Sequence, residues 1–136
     1  MEPTRLDTDG LPFGSSRKFQ LWGYGVSHGQ LLLRSNKAPD SPTTRLEILF
    51  KDARFVCLPS VMDGLTVRRG DDEIVDRNMS DFGPLELEHG VSIFAVGGQG
   101  WKGFVVAGAV WTLEDDAEYF AASKLAPDIG AFGESP

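Results

Sequence analysis

The sequence has little of what several classes of protein require. Among its 136 residues there is one cysteine, Cys57, so no internal disulfide can form, which argues against a small secreted fold. The longest mainly apolar run, Phe104 to Trp111, is far shorter than the roughly 20 residues of a membrane-spanning helix. Residues 1–16 lack the basic segment and apolar stretch of a signal peptide. We therefore expect a cytoplasmic protein with no membrane partner.

Positive charge is also scarce, because 13 Lys and Arg face 20 Asp and Glu and give a formal charge of -7. Recognition of phosphate backbones needs a positive surface, so the charge balance argues against a nucleic-acid partner and we expect none. Hydrophobic residues make up 41% of the chain, which is enough for one folded domain. We expect an N-terminal extension over residues 1–16, a globular domain over 17–126 and a C-terminal tail over 127–136.

Motifs for metals and cofactors are missing. The chain has no Cys-x-x-Cys, His-x-His or His-Glu-x-x-His, and the acidic stretch from Asp71 to Asp76 lacks the calcium-loop spacing. Residues 98–103 match Gly-x-Gly-x-x-Gly, but a strand pattern follows where a dinucleotide site needs a helix. We therefore expect no metal and no cofactor.

Alternation of apolar and polar residues is the main signal that is present. Residues 45–51 place Leu46, Ile48 and Phe50 on one face, which predicts a half-buried strand. Residues 85–95 predict a long strand that bends near Gly90, and residues 104–113 predict a strand apolar on both faces. Shorter strand patterns cover residues 18–24, 30–34, 54–58 and 65–69.

The links between these segments indicate antiparallel hairpins. Residues 51–53 and 97–100 are short turn segments, and the polar residues 71–84 are expected to form a long excursion with a helical turn around residues 73–77. Near the C-terminus, Thr112 could cap a helix that Pro127 ends. Its expected buried stripe is Ala117, Phe120, Ala121 and Leu125.

The predicted fold class is mainly β: a single antiparallel barrel or sandwich of about seven strands with one C-terminal helix. This order of elements matches the pleckstrin-homology-like barrel by analogy, and such an analogy carries no function.

One segment resembles a known group of sequences. Residues 24–35, Tyr-Gly-Val-Ser-His-Gly-Gln-Leu-Leu-Leu-Arg-Ser, followed by Glu-Ile-Leu-Phe-Lys at residues 47–51, are similar to a segment of small uncharacterised bacterial proteins. The resemblance covers about residues 18–66. It implies neither an activity nor a ligand.

Ser27, His28 and His89 are the candidate ligand-binding residues. A hydroxyl beside an imidazole suggests a nucleophile and its base, but neighbours in an extended chain point to opposite faces. The alternative is a glycine-jointed hairpin in which Ser27 and His28 bond to nearby main chain. His89 falls on the apolar side of its predicted strand, and there it is expected to be half-buried.

Trp101 and Lys102 are the candidate residues for partner contact, because they lie at a glycine-flanked hairpin tip. Such a tryptophan either folds back onto the domain or anchors an interface. No catalytic set accompanies it. The sequence therefore predicts a non-catalytic domain that works through protein–protein contact, as a homodimer or with a basic protein partner. The alternative is a small-molecule-binding protein or weak hydrolase with a pocket lined by Ser27, His28 and His89.

Overall fold

The computed structural model describes residues 1–79 and 87–129 of the chain. The described residues form strands, one α-helix and a 3-10 turn at Val26–His28. The strands are β1 (Thr4–Arg5), β2 (Phe13–Gly25), β3 (Gln30–Ser35), β4 (Arg45–Lys51), β5 (Phe55–Cys57), β6 (Val61–Arg69), β7 (Ser92–Gly98), β8 (Trp101–Ala107) and β9 (Ala109–Asp115), and the helix is α1 (Asp72–Met79). The prediction of a mainly β, antiparallel fold is confirmed.

All nine described strands belong to one antiparallel sheet in the order β1-β9-β4-β3-β2-β6-β7-β8-β5. The sheet ends at β1 and β5, so it is not a closed barrel, and the strand count of about seven was wrong. β2 links the two halves, since its first part pairs with β6 and its last part with β3. The register of β2 shifts in both pairings, and such bulges allow a strand to bend.

The main core lies between the two halves of the bent sheet. Phe50 of β4 and Phe94 of β7 are both fully buried, and their ring centroids are 5.9 Å apart although β4 and β7 are not neighbours in the sheet. Leu33, Ile48, Val105 and other aliphatic residues fill the same cluster. The two halves therefore pack face to face, as in an open sandwich.

The predicted C-terminal helix was wrong. Thr112 lies inside β9, and the described residues after Asp115 form no helix. Phe120, expected in the buried stripe, is 63% exposed. The carbonyls that a helix would use for its own hydrogen bonds instead accept bonds from two buried arginines: Arg45 donates to Glu118, Ala121 and Ala122, and Arg34 donates to Tyr119.

The strand at residues 45–51 has the predicted bounds, but it is buried on both faces rather than half-buried. Its second face carries Arg45 and Glu47, which are covered by the segment that follows β9. The strand predicted at residues 104–113 is two strands, because the chain leaves β8 and enters β9 at Gly108. A run that is apolar on both faces has no period that could mark this break.

Two of the predicted connections also differ. Residues 51–53 do not close a hairpin, because β4 pairs with β9 and β5 pairs with β8. The hairpin at residues 97–100 is confirmed by the pairing of Gly98 with Trp101.

The long strand predicted at residues 85–95 begins only at Ser92, after a turn at His89 and Gly90, where Gly90 has a φ of 90°. Residues 85–86 lie outside the described part of the chain. The predicted helical turn around residues 73–77 falls within α1, and residues 80–84 of that excursion are also outside the described part.

The N-terminal residues take part in the sheet. β1 pairs with β9, Leu6 is buried, and residues 13–16 form the start of β2. Residues 130–136 of the predicted C-terminal tail lie outside the described part. Among the described helices, none combines the length and apolar character needed to span a membrane.

Candidate functional site

The outer face of β6, β7 and β8 holds the candidate site. Antiparallel pairing places Thr66, Gly97 and Lys102 in one row across the three strands. The next row along is Arg68, Ala95 and Phe104. Because side chains alternate between faces, these two rows point to the same side of the sheet.

Helix α1 covers one end of this face and leaves the other end open. Val75 of α1 packs with Ile93, Phe104 and Val106 in a small apolar cluster. Beyond it lies a cavity of about 370 Å³, here called the β7 groove, whose lining includes Thr66, Arg68, Ile74, Ala95, Gly97 and Lys102. The groove exists because the residues of its floor, Ala95 and Gly97 of β7, have the smallest side chains.

Gly97 illustrates how open the floor is. A Cβ atom added at this residue would meet only the carbonyl oxygen of Trp101, at 3.4 Å. A side chain at this position would therefore project into the groove rather than into packed atoms.

The hairpin that ends the groove is held in place from the opposite face. The ring of Trp101 is half-buried against the main core, and its Nε1 donates to the carbonyl of Asp63 at 3.2 Å. The amide of Gln99 donates to the same carbonyl at 2.8 Å. The hairpin tip is thus fixed by packing and by hydrogen bonds, which gives the groove a preformed end.

The groove is cationic in an otherwise acidic protein. Arg68 and Lys102 are exposed, and neither forms an ion pair with a carboxylate of the described residues. A second cavity borders α1 and is lined by Asp72, Val75, Asp76, Leu87 and Ile93. Its charged side chains are carboxylates, whereas those of the β7 groove are cations.

The two histidines and Ser27 lie away from both cavities. Ser27 and His28 are exposed in the 3-10 turn after β2, and His89 is exposed in the turn before β7. None of the three lines the β7 groove or the second cavity. The expected half-buried position of His89 was wrong, because the strand on which that expectation depended starts three residues later.

No cluster of three or more metal-ligating side chains is present in the described part of the chain. Cys57 is exposed on β5, at the edge of the sheet.

A second polar cluster, made of Arg34, Arg45, Glu47, Asp115 and Ser123, is buried rather than open to a ligand. Arg34 lies 2.8 Å from Glu47, and Arg45 lies 3.2 Å from Asp115. The hydroxyl of Ser123 donates to Glu47 at 2.9 Å. Burial lowers the pKa of Arg34, although the neighbouring Glu47 opposes this effect. These residues attach the chain after β9 to the sheet.

The sequence indicated one side of the β7 groove and missed the other. Trp101 and Lys102 were marked by the glycines around them, whereas Thr66, Arg68 and Gly97 were not. Their relation depends on which strands are neighbours, and a sequence pattern does not give strand order. The alternation of residues 65–69 was the available signal, since it places Thr66 and Arg68 on one face.

Comparisons with protein-family models, with curated proteins and with solved structures find no match for this chain.

Proposed function

We propose that the protein is a non-catalytic domain that acts through protein–protein contact, with the β7 groove as its contact surface. The observation that supports this most is the position of Arg68 and Lys102, two exposed cations without carboxylate partners among the described residues, beside a preformed groove. Cations on a surface of the opposite overall sign favour a specific orientation of a charged partner.

The groove offers binding groups rather than reactive ones. Its lining contains no histidine, cysteine or carboxylate among the described residues, and the hydroxyl of Thr66 donates to the carbonyl of Gly97 at 3.2 Å. A nucleophile needs a base within hydrogen-bond reach, and the groove supplies none. The alternative of a pocket with Ser27, His28 and His89 has no observation in its favour.

A site-specific crosslinking experiment tests the contact surface. Gln99, which is exposed at the hairpin tip beside the groove, is replaced by p-benzoylphenylalanine, and the full-length protein is irradiated in the cells that produce it. We expect a covalent adduct with one protein that can be identified by mass spectrometry.

The same replacement at Val26, which is 85% exposed in the 3-10 turn, is the control for nonspecific contact. We expect the adduct to be absent there. The adduct should also be lost when Gly97→Val, which fills the groove, is added to the protein that carries p-benzoylphenylalanine at position 99. An adduct that forms equally at both positions, or that survives Gly97→Val, contradicts the proposed surface.

A further inference from the structure

We propose that the β7 groove recognises a short extended segment of its partner protein that carries two carboxylates at alternate positions followed by an apolar side chain. This inference rests on the proposed function and specifies the chemistry of the partner. The spacing of the two rows of side chains and the distribution of charge along them support it.

The spacing of the rows matches an extended chain. The row of Gly97 and the row of Ala95 are two residues apart along β7, which is about 7 Å. In an extended peptide, side chains on the same face are also two residues, or about 7 Å, apart. A peptide lying along β7 therefore places one side chain over Gly97 and the next over Ala95.

Each of these two positions has a cation beside it. Lys102 flanks Gly97, and Arg68 flanks Ala95 on the opposite side. Two carboxylates at alternate positions would each reach one cation. The next alternate residue of β7 is Ile93, which is buried under Val75 of α1, so there the peptide meets the helix instead of the sheet. Ile74 of α1 lines this end of the groove, so an apolar side chain fits against it.

The same geometry disfavours other anions. Lys102 and Arg68 lie on the two strands that flank β7 and in successive rows, so their Cα atoms are about 12 Å apart. A single phosphate contacts both cations only if the two side chains lean towards each other. A nucleic acid is longer than the groove and would continue onto α1, where Asp72 and Asp76 repel phosphate. A run of acidic residues longer than the two positions would meet the same repulsion.

Titration with a synthetic peptide tests the inference. The probe is an acetylated and amidated octapeptide, Gly-Ser-Glu-Thr-Glu-Thr-Ile-Gly, and the matched peptide has Gln in place of both Glu. Binding to the full-length protein is followed by the amide chemical shifts of Gly97, Gly98 and Gly103, which border the groove. We expect the Glu peptide to bind about tenfold more tightly than the Gln peptide at low ionic strength. This difference should shrink as salt is added.

Paired variants with equal change of charge locate the binding site. We expect the double variant Arg68→Ala with Lys102→Ala to bind the Glu peptide about tenfold more weakly. The double variant Lys18→Ala with Lys124→Ala removes the same charge from exposed positions elsewhere and should leave binding unchanged. Gly97→Val should weaken the binding of both peptides, because it fills the groove without changing its charge.

Four outcomes would overturn the inference. They are equal affinity for the two peptides, shifts confined to residues outside the groove, inorganic phosphate binding as tightly as the Glu peptide, and concentration-dependent dimerisation that Arg68→Ala with Lys102→Ala abolishes. The last would assign the groove to a second copy of the chain. If the crosslink at Gln99 forms and the peptides bind equally, the acidic segment is wrong and the contact surface stands. If no specific crosslink forms, the proposed function itself fails.

Discussion

At the scale of single residues, the most unusual feature is a set of charged side chains with almost no exposed surface. Arg34, Arg45, Glu47 and Asp115 are each at most 1% exposed. Charges are buried at this level only when they are paired and hydrogen-bonded, because desolvation is costly. The sequence could not indicate this burial, since Arg45 and Glu47 alternate with apolar residues as in an ordinary half-exposed strand.

Glu47 is the residue on which this cluster depends most, because it contacts Arg34, Ser123 and, at 3.9 Å, Arg45. We expect Glu47→Ala to lower the free energy of unfolding by about 3–5 kcal/mol, since it leaves a buried guanidinium without its partner. Glu114→Ala is the control, because Glu114 is half-exposed and pairs with Arg17 at the surface. That variant should lose about 0–1 kcal/mol. Urea unfolding measures both, and equal losses would contradict the assigned role of Glu47.

The environment of the Asp7 carboxylate predicts that the stability of the protein depends on pH. Burial raises the pKa of Asp7, but hydrogen bonds from Arg5 and from the amide of Val110 lower it by a larger amount. The pKa of Asp7 is therefore below its ordinary value. The carboxylate therefore stabilises the folded state above the ordinary pKa of aspartate, and this contribution is lost as the pH falls through the lowered value.

We expect Asp7→Asn to be less stable than the wild-type protein near pH 7, with the difference shrinking as the pH falls below the ordinary pKa of aspartate. Chemical denaturation across this range is the measurement. Asp9→Asn, at an exposed position two residues away, should show no such trend. A difference for Asp7→Asn that does not change with pH would show that the charge of Asp7 is not the cause.

At the scale of elements, the alternation of apolar and polar residues predicted strands, whereas the segments that connect or follow the strands were harder to predict. β4 has the bounds that its alternating residues predicted, because one face is uniformly apolar. The C-terminal helix failed for a different reason. Ala117, Phe120, Ala121 and Leu125 have helical spacing, yet Arg34 and Arg45, far earlier in the chain, bind the carbonyls of that segment. Local spacing contains no information about such distant donors.

Two glycines in neighbouring strands give a prediction about element pairing. A Cβ at Gly103 would collide with the carbonyl oxygen of Cys57, which belongs to β5, whereas a Cβ at Gly97 has room. We expect Gly103→Ala to destabilise the protein by about 1–3 kcal/mol, because β5 must move away from β8. Gly97→Ala should change stability by at most about 0.5 kcal/mol. Thermal unfolding of the two variants tests this, and similar losses for both would contradict the described pairing of β5 with β8.

At the scale of the whole molecule, one bent sheet provides both faces of its own core. The bend occurs in β2, whose register shifts on both sides. The sequence predicted a barrel or sandwich, and the open sandwich is the closer of the two. Closure could not be predicted, because it depends on which strands form the edges rather than on the pattern within any strand.

Contact between the halves predicts coupling between Phe50 and Phe94. The two single variants, Phe50→Leu and Phe94→Leu, each lower the free energy of unfolding. We expect the loss in the double variant to differ from the sum of the two single losses by about 0.5–1.5 kcal/mol, because the two rings are neighbours across the core. The matched cycle pairs Phe50→Leu with Phe104→Leu, since Phe104 packs in the separate outer cluster. Denaturant unfolding of all variants measures both cycles, and additivity in the first cycle would contradict the face-to-face packing of the halves.

The lengths of the two edge strands have a consequence for solubility at high concentration. β1 contains two residues and β5 contains three, while the strands between them contain six or more. A second molecule that tried to extend the sheet would find few free amide and carbonyl groups in register, so each added strand would gain little. The arrangement therefore protects against growth of ordered aggregates without requiring a closed barrel.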